Sequence, residues 1–419
     1  MRVLHIVQRY PPAIGGSEIW CRNICCFLAG KGIITKVATM DLCHIEEFHN
    51  DPEDLGLDKK HIDLGRYDYD KGVFIKRYNL WKIGSKRPSS YLARLLLYRM
   101  KLSKTRIGDI FRISPHSFEM YSGLFKEIKN VDIVHLHTLP YFHNLVGFSI
   151  AKLLRKKVVI TPHFHTGHPH YEMNIFYRIM NRCDAVIAVS EYEKNHFSRK
   201  GVDSRKIYVT GNCIMPEEQR GTEEELDTLK KSLLKDYGIR DSSKKIIFIG
   251  RKELYKGIGA LIDAMQEIAH EETEMDFCLF LVGPASIDFN NRYLSLGNLD
   301  NLKVIDFGSL SGKEKMNLLA ISDLLVLPSE FEAFGIVFLE AWAHKKPVVG
   351  TNRGAMPEVI DGAGLCAEYG DIRDLKEKIK TVLFNPELAR KIGEAGKEKL
   401  DKKYSLEIIG KKVFNIYHT

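Results

Sequence analysis

The chain has 419 residues, is 44% hydrophobic and carries a formal net charge of +8. That length predicts two or three domains with real apolar cores, and no apolar run approaches the roughly 20 residues of a membrane span. The charge favours phosphorylated ligands or an anionic membrane surface; it is too small to argue for nucleic acid, and no nucleic-acid motif occurs.

The apolar run Val3 to Val7 reads as a buried strand. It is too short for the apolar region of a signal peptide, so a cytoplasmic location is expected. The loop Arg9 to Glu18 follows, with Gly15 and Gly16 adjacent at the strand-to-helix turn. Paired glycines there let a backbone approach a ligand closely, although by themselves they mark only a turn. A helix is predicted from about Ser17, with Ile19, Ile24, Phe27 and Leu28 on its core face. Cys21, Cys25 and Cys26 fall on it without a second half-site, and all eight cysteines are read as reduced thiols.

Strand patterns recur at Ile34–Thr39, Val73–Arg77, Ile133–His137, Val158–Thr161 and Ala185–Val189, mostly with helical patterns between them. That alternation predicts a doubly wound parallel sheet, whose ligands lie beyond the carboxyl ends of the strands. Between Tyr91 and Arg112 a helix is predicted with Arg94, Arg99, Lys101, Lys104 and Arg106 beside its apolar residues. It reads as a core helix with a solvated basic face, or as a dock on an anionic leaflet suited to a lipid-held acceptor.

His135, His137, His143, His163, His165, His168 and His170 crowd one stretch. Taken as strand residues pointing to opposite faces, histidines two apart do not converge on a metal, and no metal site is assigned. No D-x-D carboxylate pair is read at a strand end either. Pro216 to Glu225 reads as a surface connection.

A second α/β pattern opens with the strand Lys245–Gly250. It leads through Arg251 and Lys256 to Gly257 and a helix from Ile258. Further strands are predicted at Leu279–Val282, Val304–Gly308 and Leu324–Leu327, and Ser311-x-x-Glu314 reads as a capping box. A helix is predicted over Phe334–Ala343, with Gly335 in its first turn, where unpartnered N–H groups attract phosphate. Glu332 and Glu340 flank that turn. Carboxylates repel phosphate, so these two are expected to meet hydroxyls of a sugar and a ribose; the plainer reading is a helix-start acid and a solvated helix residue.

The stretch from Pro328 to Ala341 resembles the Glu-x7-Glu signature of the retaining glycosyltransferases of family 4, the group 1 glycosyl transferases, with Ala333 where glycine is usual. Pro11-Pro12-x-x-Gly15-Gly16-x-Glu18 is similar to that family's donor loop, which implies the Gly16 N–H near the donor diphosphate. Thr161-Pro162-His163 resembles its T-x-H motif, which implies His163 beside the donor sugar. Gly250-Arg251-x4-Lys256-Gly257 matches its phosphate-binding pair. Gly283-Pro284 resembles a G-x-G-P turn with one glycine missing. The family places the nucleobase near the strand end at Gly308.

The resemblance implies a GT-B fold, two Rossmann-like doubly wound domains facing across a cleft. They are expected at residues 1–205, with the C-terminal helix 401–419 returning to them, and at 206–400. It implies transfer of a sugar, with retention, from a UDP- or GDP-sugar to a glycan or lipid-linked acceptor in cell-surface glycan or glycolipid assembly. Localisation at the inner face of the membrane would follow. His163, Arg251, Lys256 and Glu332 take the catalytic roles. Gly15, Gly16, Gly308, Phe334, Gly335, Ile336 and Glu340 join Arg251 and Lys256 in binding the donor. No metal or other cofactor is implied, and no Asp or Glu stands out as a covalent nucleophile. Two other readings stay open: a nucleotide-sugar 2-epimerase of the same fold, and a non-catalytic sugar-nucleotide-binding protein.

Overall fold

The computed structural model describes residues 1–13, 15–42, 65–80, 106–164, 166, 171–215, 221–285, 289 and 300–419. They form two compact units, Met1–Asn212 with Leu406–Thr419, and Cys213–Ser405.

In the first unit, short Val-, Ile- and Leu-rich runs form β1 (Arg2–Ile6), β2 (Ile34–Met40), β4 (Val73–Tyr78), β5 (Ile133–His137), β6 (Lys157–Thr161), β7 (Ala185–Ala188) and β8 (Ile207–Val209), while β3 (Tyr67–Asp70) is an exposed edge. The sheet order is β3-β4-β2-β1-β5-β6-β7-β8, parallel except for β3 against β4. Every side chain of β5 is buried, as expected of a parallel strand covered on both faces. Between the strands run α1 (Gly16–Gly30), α2 (Arg106–Ile113), α3 (Phe118–Lys129), α4 (Phe142–Leu153), α5 (Asn174–Arg182) and α6 (Glu191–Arg199). Ser117 and Ser190 cap α3 and α6 by accepting from the N–H groups of Met120 and Glu193, each cap worth about 1 kcal/mol.

Several expectations change here. Ile19 is only partly buried, and the core face of α1 carries Glu18, Trp20 and Cys21 as well. Strand β8 pairs with β7, so residues past 205 continue the first sheet. Residues 91–105 of the expected basic helix lie outside the described residues. Strand β3 ends in Asp68-Tyr69-Asp70, a D-x-D pair that the sequence reading overlooked. Asp68 is paired with Arg77 at 3.2 Å and Asp70 with Arg22 at 2.6 Å, so both carboxylates are already neutralised by arginine.

In the second unit, α7 (Glu223–Tyr237) precedes β9 (Lys244–Ile249), α8 (Ile258–Glu271), β10 (Phe277–Val282), β11 (Leu302–Asp306), α9 (Gly312–Ile321), β12 (Leu324–Val326), α10 (Ile336–Ala343), β13 (Val348–Thr351), α11 (Met356–Ile360), β14 (Leu365–Ala367), α12 (Ile372–Leu383) and α13 (Pro386–Lys403). All six strands are parallel in the order β11-β10-β9-β12-β13-β14. This is the Rossmann order, and it reverses direction between β9 and β12. Thr222 and Glu225 form a capping box, so α7 begins inside the stretch read as a connection; residues 216–220 lie outside the described residues.

The last helix, α14 (Leu406–His418), belongs to the first unit. The buried Tyr417 hydroxyl lies 2.6 Å from Nδ1 of His135, and Lys412 donates to the Thr210 carbonyl at 3.1 Å. No helix among the described residues is long and apolar enough to cross a membrane.

Candidate active site

The reversal of strand order in the second unit opens a crevice at the carboxyl ends of β9 and β12, the usual place for a ligand in such a sheet. Two loops meet there. Glu330 donates its N–H to the Tyr255 carbonyl at 2.8 Å. Gly257 has φ 73°, and a Cβ on it would lie 2.0 Å from the Pro328 carbonyl oxygen. Only glycine allows both that backbone conformation and that approach.

The stitched loops bring together residues 76 apart in sequence. Lys256 Nζ donates to Glu332 Oε1 at 2.5 Å, with both side chains 11% exposed. Lys256, expected at phosphate, and Glu332, expected at sugar hydroxyls, are paired with each other. Arg251 is close by in sequence, forking onto Glu253 Oε1 at 2.9 Å and onto the Tyr255 hydroxyl. Two cations and two acids therefore share this edge of the sheet.

The helix beyond Glu332 starts later than the apolar pattern predicts. Gly335 is the N-cap of α10, in the left-handed region at φ 84°, and no side chain caps the helix. Ile336 is its first residue. Phe334 does not present its side chain to a ligand: it is 2% exposed, with its ring edge-on to Tyr404 at 5.1 Å. Phe334, expected to bind the donor, instead anchors the loop with its side chain and leaves only its backbone for such a role.

Glu340 is 4% exposed. Its Oε1 accepts from Lys315 Nζ at 2.6 Å, whereas Oε2 is buried without a hydrogen-bond partner. Sequence reasoning missed Lys315, which carries no motif signal. At the end of β11, Gly308 donates its N–H to Asp306 Oδ1 at 2.8 Å, and its carbonyl accepts from Gly283 at 2.7 Å. The Phe307 N–H goes to the Leu281 carbonyl at 3.0 Å. The Phe307 N–H and the Gly308 carbonyl thus tie the ends of β10 and β11 together, the Gly308 N–H is held by Asp306, and Lys252, fully buried, is ion-paired with the same carboxylate.

In the first unit, Gly15 and Gly16 open α1 at the carboxyl end of β1. A Cβ on Gly15 would lie 2.2 Å from Glu18 Oε2. Glu18 is 1% exposed; it accepts from Arg9 at 2.8 Å and from the Ser17 hydroxyl at 2.7 Å. This buried pair holds the glycine turn in place, and the sequence reading left it out. His163 follows β6 with φ 48° and is 7% exposed, with Nε2 buried and unpartnered. Burial lowers its pKa to about 4, against the opposing pull of the Glu18 charge. A neutral imidazole with an open ring nitrogen can donate to or accept from a sugar hydroxyl.

His135 and His137 share one face of β5, with ring centroids 4.1 Å apart. The expectation that histidines two apart on a strand point to opposite faces was wrong, because side chains alternate with a period of two. His5, Cys21 and His137 place ligand atoms within 4.8 Å of one another. However, His5 Nδ1 and His137 Nε2 are hydrogen-bonded to each other at 2.9 Å, and His135 is held by Tyr417 and by Thr161 at 2.7 Å. These rings form a hydrogen-bonded core stack. His165, His168 and His170 lie outside the described residues.

Residues 230–399 match the family model for glycosyl transferases group 1, and residues 87–218 match that for glycosyltransferase family 4. An N-acetyl-alpha-D-glucosaminyl L-malate synthase of Bacillus anthracis is 27% identical over 332 residues, covering 74% of this chain and 81% of the relative. An uncharacterized glycosyltransferase of Methanocaldococcus jannaschii is 30% identical over 293 residues, covering 67% of this chain and 73% of the relative. The solved structure of Anabaena HepE in complex with UDP and glucose superposes with a TM-score of 0.70 at 17% identity, covering 100% of this chain and 99% of that one. That likeness shows the fold, which is GT-B.

Proposed function

The chain belongs to the group 1 glycosyl transferases, and from that membership we propose that it moves a sugar from a UDP- or GDP-sugar to a glycan or lipid-linked acceptor hydroxyl, with retention at the anomeric carbon. The observation that carries the chemistry is the Lys256–Glu332 pair beside the start of α10. A sugar joined to a diphosphate needs positive charge at the phosphate and an acceptor for its hydroxyls, a few ångströms apart. Lys256 supplies the first and Glu332 the second. An arriving diphosphate competes with Glu332 for the ammonium, and the released carboxylate turns to the sugar. Arg251 adds a forked donor, and the N–H groups at the start of α10 face the charge that develops on the leaving phosphate. His163 takes a sugar hydroxyl. In the same-face mechanism this reading favours, the leaving phosphate accepts the acceptor's proton.

Support for a nucleotide-sugar donor comes from the HepE structures with UDP, glucose and UDP-glucose. We propose a metal-independent reaction on the grounds that Arg251, Lys256 and a helix N-terminus already supply positive charge to the diphosphate. The test is a transfer assay in excess EDTA, with the product's anomeric coupling read by NMR. Unchanged activity and a retained anomeric configuration are expected. Activity lost in EDTA and restored by Mg²⁺ or Mn²⁺ would end the metal-free reading, and an inverted product would end the retaining one.

A further inference from the structure

Glu340 is a buried carboxylate whose two oxygens are treated differently. Oε1 takes a charged hydrogen bond from Lys315 at 2.6 Å, and Oε2 is buried with no partner. Lys315 comes from α9, whose start is fixed by the reciprocal Ser311–Glu314 capping box immediately before it. Its side chain is 14% exposed and that of Glu340 is 5% exposed, so the contact is largely shielded from bulk water. Buried polar atoms are almost always hydrogen-bonded, and an exception calls for an explanation. An oxygen left open next to an already neutralised partner is an acceptor awaiting a donor. A phosphate has only acceptors at this position, whereas adjacent hydroxyls on a ring offer donors.

We propose that Lys315 is a positioning residue for a ribose subsite: its ammonium pins one oxygen of Glu340 and thereby aims the other at the vicinal hydroxyls of a nucleoside diphosphate. This rests on the reading that the second unit binds such a nucleotide. If Lys315 only tied α9 to α10, its loss would weaken folding and leave ligand preference alone.

The experiment titrates the full chain with UDP, GDP and ADP, with their 2′,3′-dideoxy counterparts, and with inorganic pyrophosphate. For whichever nucleotide the wild type binds, the ribose form is expected to bind roughly 10- to 100-fold tighter than the dideoxy form, as for a hydrogen bond to a charged group. Lys315→Met should erase that preference while pyrophosphate affinity stays unchanged, and Lys315→Arg should restore most of it. Lys315→Gln serves if the Met variant does not fold, and the same loss is expected. A ribose preference that survives in a folded Met or Gln variant overturns the proposal, as does a wild type indifferent to the ribose hydroxyls. A wild type that binds none of the three nucleotides overturns the underlying function as well.

Discussion

Lys256→Ala is expected to slow turnover by about 30- to 1,000-fold, the effect of losing roughly 2–4 kcal/mol of charge stabilisation in the transition state. The structure adds a cost in stability. Lys256 and Glu332 are 2.5 Å apart and each side chain is 11% exposed, so removing the lysine leaves a largely buried carboxylate without its cation. Breaking such a pair from one side is more destabilising than replacing both partners. Lys256→Ala/Glu332→Gln should therefore unfold at higher urea than Lys256→Ala alone, while remaining as slow or slower. Nucleoside diphosphate release and urea unfolding, measured on the same samples, separate the two effects. A folded Lys256→Ala variant with wild-type turnover would remove Lys256 from the site.

Acid should unfold the first unit well above the range in which carboxylates titrate. His5 and His143 are held near pKa 3 and His163 near 4, while His135 and His137 are held well below the usual value; in each case burial is the leading cause. In the unfolded chain all five return to the ordinary value of about 6.5. Below that pH the unfolded state binds more protons than the folded one, so stability rises with pH and falls on acidification. The stabilisation is complete above about pH 6.5. It begins to be lost as pH falls through 6.5 and continues to be lost down to the folded values. At pH 5.5 each histidine costs about 1.4 kcal/mol, so five cost about 7 kcal/mol at most, comparable with the whole stability of a domain. The paired carboxylates lose their contribution only below about 4.5, as with Glu271, held near 2 by Lys376 and Lys380. Thermal unfolding followed from pH 7.5 to 5.5 should show a steep fall with several protons taken up on unfolding. A flat profile over that range would mean that these rings are not buried as neutral imidazoles.

Both sheets were legible because their strands are buried on two faces and appear as unbroken apolar runs, with helical periodicity between them. Strand β3 was not, since Tyr67-Asp68-Tyr69-Asp70 lies exposed at an edge and offers no such run; its D-x-D went unread for the same reason. At the site, motif resemblance pointed to Arg251, Lys256, Glu332 and Glu340. It could not reveal that Lys256 meets Glu332 across 76 residues, because the alignment of β9 with β12 decides that contact. Lys315 was hidden in the same way: its meaning depends on how α9 lies against α10. Gly335 shifted from first turn to N-cap because its positive φ is a property of the loop, and the apolar pattern running through Phe334 concealed it.

The crevice at β9 and β12 is proposed to hold the diphosphate of a nucleotide-sugar. The deciding measurement is calorimetric titration of UDP, GDP and ADP, each into wild-type protein and into Lys256→Ala in excess EDTA. One or two of the three are expected to bind the wild type at one site per chain, binding is expected to weaken by about tenfold or more in the variant, and EDTA is expected to make no difference. Absence of binding by all three, or equal binding to wild type and variant, would contradict that proposal.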